Sequence, residues 1–422
     1  MSTQLPSGAL CHGVRLVGHV AEGSGVQVMV HKGHAYVGHA DGVTIMDVRD
    51  PEVPAVVGSL RAAAGTWNIH LQTHGDLLLV VDEVNFHKHR QVFADARQYY
   101  GQSIGLSSPL FGTRGLDYSA GLRVFDLADP AAPKEIGYMP VQGLGVHRVW
   151  YDGGPYAYAS ALIDGYIDHI LLIIDLTDPT APREAARWWL PGMWHEGGER
   201  PNWTRRYALH HPIVADGVAY CAWRDGGMTL LDVQNPSTLK LISHHNWSPP
   251  FGGNTHVCLP LARRNLVVAL DEAVLDDGAD VDKHAWVIDV RDKSNPVNIA
   301  TFATPSEQNY RGVGGHFGPH NLHENRSGSW QDDSIVFATY QNAGVRVVNV
   351  ANPFRPDEVA FFVPPRPSPS VDASGAPKLF HSYGSSDVFV DAQGLMYVCD
   401  FSTGLYIVDS GLRPSTPTPS AP

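Results

Sequence analysis

The chain has 422 residues, more than a usual single domain, although closed all-β folds and repeat architectures reach this length as one unit. Its 43 acidic against 30 basic residues give a net charge of -13, which argues against a nucleic-acid or anionic-membrane partner, since both require clustered cations. The opening residues MSTQLPSGALCHG lack a cationic or apolar leader and no run of 18 uncharged apolar residues occurs, so the expectation is a cytoplasmic protein acting on a small molecule.

In chain order, residues 1–12 are expected as an N-terminal arm and GVRLVGHV (13–20) as a strand. One unit then recurs: GVTIMDVRDP (42–51), GLRVFDLADP (121–130), ILLIIDLTDP (170–179), GMTLLDVQNP (227–236), AWVIDVRDKSNP (285–296), GVRVVNVANP (344–353) and GLYIVDS (404–410). Each is an apolar, β-branched run ending in Asp or Asn, most often with a turn-forming Pro just beyond, as a buried strand entering a tight turn requires. Their terminal polar residues are Asp47, Asp126, Asp175, Asp232, Asp289, Asn349 and Asp409, at spacings of 79, 49, 57, 57, 60 and 60. A strand such as VAYCAWRD or LMYVCD precedes each run, and one such as PAVVGSL or KEIGYMP follows. With an opening strand, that makes four antiparallel strands per repeat, the composition of a propeller blade.

The expected fold is therefore all-β, a single seven-bladed propeller over residues 13–410. The last repeat lacks its fourth strand, and GVRLVGHV is expected to supply it and close the ring. Residues 411–422 read as a disordered tail. On these strand motifs the chain resembles the LVIVD-repeat family of β-propeller proteins, from about Gly13 to Asp409. The resemblance implies the fold and is nearly silent about function.

In a propeller the first strand of each blade lines the central channel. Aligned on their apolar alternation, the first strands read QVMV, HLQT, HRVW, HPIV, HVCL, HNLH and DVFV, led by Gln27, His70, His147, His211, His256, His320 and Asp387. A single histidine here is most simply a hydrogen-bonded channel residue. Five of seven at one position point instead to a metal site, because imidazole is the commonest metal ligand and a ring presents ligands at fixed radius. His210 and His323 are the neighbouring alternates, since a one-residue slip would exchange His211 for His210.

The four cysteines have no metal-type spacing and three lie in apolar strands, so reduced core thiols are expected and the site should be free of thiolate. A divalent transition metal fits such imidazoles, with Fe(II) favoured and Mn, Zn or Cu as alternatives. His34 and His39 are expected at the surface.

Strand polarity puts the loops entering first strands and leaving second strands on the histidine face. These are the long ones, 85–119, 191–210, 244–256, 306–320 and 364–386, and they are expected to form a lid. Asp82, Glu83, Asp225, Asp271, Glu272 and Tyr340 end second strands at that face. Of these, Glu83, Glu272 and Tyr340, with His323, are expected in acid/base work. Arg205, Arg206, Arg311 and Trp247 are expected to hold a small anionic or aromatic substrate. The favoured activity is a non-haem metal oxidoreductase or oxygenase. A Mn- or Zn-dependent lyase or hydrolase using the same site, or a non-catalytic scaffold binding a protein, are the alternatives.

Overall fold

The computed structural model describes residues 5–85, 117–367 and 383–413. Among them the fold is all-β: helical segments are single 3-10 turns such as Ala21–Gly23 and Tyr310–Gly312, and no helix is long and apolar enough to cross a membrane.

Each sequence repeat folds as an antiparallel unit. Repeat 1 is Gln27–His31, His34–His39, Gly42–Asp47 and Ala55–Arg61 in order, and repeat 3 is Gly143–Trp150, Tyr156–Ile163, Ile170–Asp175 and Arg183–Trp188. Second and third strands such as Val218–Arg224 and Ile170–Asp175 are almost wholly buried, whereas fourth strands such as Ala55–Arg61 face solvent. That gradient explains the sequence: an inner strand packs on both faces and reads as an unbroken apolar run, while an outer strand reads as mixed.

The polar residue ending each run has a defined task. The side chain of Asp47, Asp126, Asp175, Asp232, Asp289, Asn349 and Asp409 in each case accepts a hydrogen bond from the backbone N–H two residues on, at 2.8–3.1 Å. This Asx turn ends the strand and directs the chain into the fourth strand.

Neighbouring units meet through glycine. A Cβ on Gly58 would lie 2.6 Å from the carbonyl oxygen of Ala131 in the repeat 2 turn, and one on Gly137 would lie 2.4 Å from Pro179 O in the repeat 3 turn. Gly18 makes the same approach to Pro51 O of repeat 1, at 2.1 Å. Its strand, Arg15–Val20, pairs antiparallel with Gly404–Asp409 of repeat 7. Within the segment expected as an arm, Leu10–His12 pairs with Asp357–Val363 of repeat 6. The N-terminal stretch thus touches repeats 6, 7 and 1.

Candidate metal centre

The first strands do not pair regularly. The register with the second strand skips one residue at His147, between Val146 and Arg148, and one at His256, between Thr255 and Val257. In repeat 4 the break falls between Tyr207 and His211 and takes in His210. In repeat 2 three residues, ending in His70, oppose two, and in repeat 6 both His320 N–H and Asn321 O bond to Thr339. In repeat 7 the skipped residue is Ser386. A bulge leaves one residue outside the ladder and re-aims its side chain. In repeats 2 to 6 the re-aimed residue is a histidine.

The five imidazoles form an arc around a cavity of about 110 Å³. Ring centroids lie 5.2 Å apart for His70–His147, 4.9 Å for His147–His210, 3.6 Å for His210–His256 and 4.4 Å for His256–His320. Val26, Trp67, Ile69, Val274 and Phe401 supply apolar wall, and Arg224, Glu272 and His316 the remaining polar lining.

Partners fix which nitrogen is free. His147 Nδ1 lies 2.8 Å from Glu83 Oε2, His210 Nδ1 2.8 Å from His256 O, and His320 Nδ1 2.5 Å from Ser386 O. Carboxylate and carbonyl oxygens only accept, so in neutral His147 and His210 each Nδ1 carries the proton and each Nε2 keeps a lone pair. His147 Nε2 and His210 Nε2 lie 3.1 Å apart. Two lone pairs at that separation repel unless one ring takes up a proton or both nitrogens bind the same metal ion. His256 Nδ1 is buried and meets no partner among the described residues. His70 differs: Arg148 Nη1 donates to its Nδ1 at 3.1 Å, so its proton sits on Nε2 and faces the cavity as a donor.

Two groups have ligand atoms close enough to share an ion within the arc, His70–His147–His210 and His256–Glu272–His320. Burial, reinforced by neighbouring cations, holds His70, His210 and His256 well below the ordinary imidazole value, and burial lowers His147 although Glu83 opposes it. They are neutral at pH 7, the state in which an imidazole nitrogen without a proton can bind a metal.

Behind the arc lies a chain of charges. Glu83 accepts from Trp67 Nε1 at 2.8 Å and from His147, while its other oxygen meets His169 Nε2 at 3.1 Å. His169 Nδ1 meets Asp168 at 2.7 Å, and Arg206 clamps Asp168 at 2.9 and 3.2 Å. Burial would lower His169, but the bonds to Asp168 and Glu83 prevail and raise it. Burial would raise Glu83, but His147 and His169 hold it at about 2. An anionic Glu83 thus orients the His147 ring and strengthens its Nε2 as a donor to a metal.

Of the expected metal ligands, the structure brings His70, His147, His256 and His320 to one cavity, with His210 in the fourth repeat. His211 is one residue past the bulge. It points away from the cavity, with Nε2 3.2 Å from Glu324 Oε1. The same slip places Gln27 and Asp387 one residue past the arc, where Val26 and Ser386 hold the matching positions.

Glu83 and Glu272 do reach the site, Glu272 with its oxygens 3.4 Å from His320 Nε2 and 3.6 Å from His256 Nε2. His323 does not. Its Nε2 donates to Trp330 O and its Nδ1 accepts from Val390 N, both at 3.0 Å, so it ties repeat 6 to repeat 7 and burial lowers it to about 4. Tyr340 packs against Phe317, away from the cavity lining.

The four expected substrate residues are engaged elsewhere. Arg205 donates to Ser248 Oγ, Arg206 holds Asp168, Arg311 pairs with Asp282, and Trp247 donates to Asp271. His34, expected at the surface, is buried, and His39 is half-buried. The expected lid segments 85–119 and 364–386 fall largely outside the described residues. Sequence reasoning missed His169 and Arg224. His169 follows the second strand of repeat 3, on the face where such exits were expected, which was the available signal.

Fold and pocket together define a β-propeller with a histidine-lined axial cavity. The LVIVD repeat matches residues 22–61 and 213–246, consistent with an LVIVD-repeat β-propeller family. No curated protein matches the sequence. Among solved structures it is similar to the β-propeller domain of Cps50 (Swd1) from Myceliophteria thermophila, at 11% identity over 94% of this chain and 99% of that one with a TM-score of 0.56. It is also similar to U3-55K, at 9% identity over 94% and 97% with a TM-score of 0.55. A third is a hypothetical selenium-binding protein from Sulfolobus tokodaii, at 14% identity over 88% and 83% with a TM-score of 0.54. At these identities the likeness is one of fold.

Proposed function

We propose that the protein is a cytoplasmic metalloenzyme, a seven-bladed propeller closed by Arg15–Val20, with a divalent transition metal held in the axial cavity by imidazoles of the arc, where His70–His147–His210 and His256–Glu272–His320 bring ligand atoms close enough. Fe(II) is the favoured ion and oxidation or oxygenation of a small molecule the favoured reaction. The seven Asx turns and the common glycine contact of Gly18, Gly58 and Gly137 support the ring.

One observation carries the metal reading: two imidazole Nε2 atoms face each other at 3.1 Å while both Nδ1 atoms are committed as donors. The orphaned Nδ1 of buried His256 adds a second unmet polar atom in the same arc. His256, His320 and Glu272 are two imidazoles and one carboxylate, a donor set that suits Fe(II) with positions left open. Such an ion would supply a redox centre. The chain's own part is to orient His147 through Glu83, to wall the cavity with Trp67, Ile69 and Phe401, and to offer Glu272 as the carboxylate able to move a proton. Selenium in a neighbour's name does not transfer easily, since Cys221, Cys258 and Cys399 are buried in strands and no cysteine lines the cavity.

Elemental analysis of protein purified without a histidine tag tests this reading. Stoichiometric iron is expected, lost on chelation together with turnover. Zinc or manganese would move the reaction to hydrolysis or elimination, and protein free of transition metal would leave only the scaffold alternative.

A further inference from the structure

Arg224 is the cationic side chain in the cavity wall among the described residues, and it is not fully used. Its Nη1 donates to Asn254 Oδ1 at 3.2 Å and to Glu272. The hydrogen bonds of its guanidinium within the described residues are these two from Nη1, and Nε and Nη2 are not among the fully enclosed polar atoms without a partner, so they keep access to the cavity that Arg224 lines. Those two N–H groups form the flat edge of the guanidinium that matches both oxygens of a carboxylate.

The backbone explains its placement. The hairpin Trp223–Gly227 closes with Trp223 N–H on Gly227 O and Gly227 N–H on Arg224 O, which holds Arg224 at φ +49. Repeat 6 has the same hairpin, Tyr340–Gly344, with Gln341 at φ +44. There the side chain is spent on a carbonyl, as Gln341 Nε2 donates to Ala273 O at 2.9 Å. In repeat 4 the same turn aims a guanidinium at the imidazole arc.

Charge points the same way. In the wall, Arg224 and Glu272 cancel, and the other lining groups are imidazoles or apolar side chains. A divalent ion would leave this buried site net positive even if Glu83 behind the wall were counted in full. An uncompensated buried charge is costly, so an anion should accompany the metal. The volume of about 110 Å³ suits an ion with a few heavy atoms.

We propose that Arg224 is the anion clamp of this site and that the substrate is a small carboxylate, its two oxygens on Nε and Nη2 and its reactive carbon directed to the metal. This inference rests on the metal reading above. It replaces Arg205, Arg206 and Arg311, whose guanidinium groups are engaged elsewhere.

The test uses the full chain loaded with Co(II), with cobalt content measured first, then titrated with acetate and with acetamide while the cobalt absorption bands are followed. Acetate is expected to bind at least about tenfold tighter than acetamide, which lacks the charge. Arg224→Met should lose at least that factor with its cobalt retained. Arg224→Lys keeps the charge without the fork, should lose affinity too, and decides the matter if the Met variant fails a melting control. Acetate affinity equal in wild type and the folded variants, or equal to that of acetamide, overturns the clamp. A chain that takes up no cobalt overturns the metal reading instead. Calorimetry of acetate with metal-free protein then still decides the clamp, by whether binding depends on Arg224.

Discussion

His210 and His211 are adjacent in sequence and both wholly buried, yet they belong to different layers of the channel. The bulge sends His210 into the arc with His147 and His256. The ladder resumes at His211 and sends it into a layer of charges, where Arg148 meets Glu324 at 3.2 Å, Gln72 donates to the same carboxylate at 3.0 Å, and Arg326 donates to Gln72. In the arc, His147 Nε2 and His210 Nε2 face each other across 3.1 Å at the cavity. In the layer beneath, Arg148, Arg326, Gln72 and Glu324 pair with one another, although both ring nitrogens of His211 and Nε of Arg148 have no hydrogen-bond partner among the described residues. Imidazole nitrogens turned to a cavity mark a candidate binding site, and acids paired with arginines inside the channel mark a structural plug.

The difference can be broken most decisively by exchanging the two histidines' fates. His210→Ala should weaken metal affinity by more than roughly 100-fold, beyond the 10–100-fold typical of losing an outer partner, whereas His211→Ala should keep its metal. Metal per folded protein, measured by elemental analysis, reads both. The reverse result would mean that the register assigned to repeat 4 is wrong.

A smaller effect is expected behind the arc. Glu83→Gln still accepts a bond from His147 but loses the charge that orients and polarises it, so metal affinity should fall about tenfold or more while the fold persists. Unchanged affinity would reduce Glu83 to packing.

In the plug the expectation is inverted, with stability lost and metal kept. Glu324→Ala removes one partner of a buried pair and should cost roughly 3–5 kcal/mol in denaturant melts, with metal per folded protein unchanged. Loss of metal there would show that the two layers act as one.

Asp387 gives the smallest effect. Burial raises its carboxyl to about 7 although Arg148 opposes this. A folded-state value above the unfolded one means that its neutral form is favoured on folding, a contribution present at acid pH and lost as pH rises toward and through 7. Asp387→Asn should therefore raise the melting temperature by a few degrees at pH 8 and change little at pH 4. A shift of equal size at both pH values would remove titration as the cause.

Much of this was legible in the sequence because the repeats state it seven times. The Asp and Asn residues that close each third strand were readable from spacing alone, and the Asx turns give the reason. In five repeats the first strand does bring a histidine to one cavity, though in repeat 4 it is His210 and not the expected His211. What misled was a bulge. It adds one residue without any mark in the sequence, and because side chains alternate with period 2, one residue of slip moves His210 in and His211 out. Arg205, Arg206, Arg311 and Trp247 were misplaced for a different reason: loop composition says which groups are near a face but not which acceptor each will find first. Arg224 was hidden inside a turn whose positive φ would ordinarily suggest glycine.

The pairing of Arg15–Val20 with Gly404–Asp409 bears on how the chain is made. On the ribosome the first strand emerges some 390 residues before its partner, and at 5–20 residues per second it waits on the order of half a minute or more. Throughout that time Arg15–Val20 lacks the strand it pairs with and leaves an open edge, the kind of surface on which nascent chains pair with one another. The protein's most vulnerable species is thus the nearly finished chain, and its yield in a cell should depend on translation speed and on holding chaperones more than on the stability of the completed molecule.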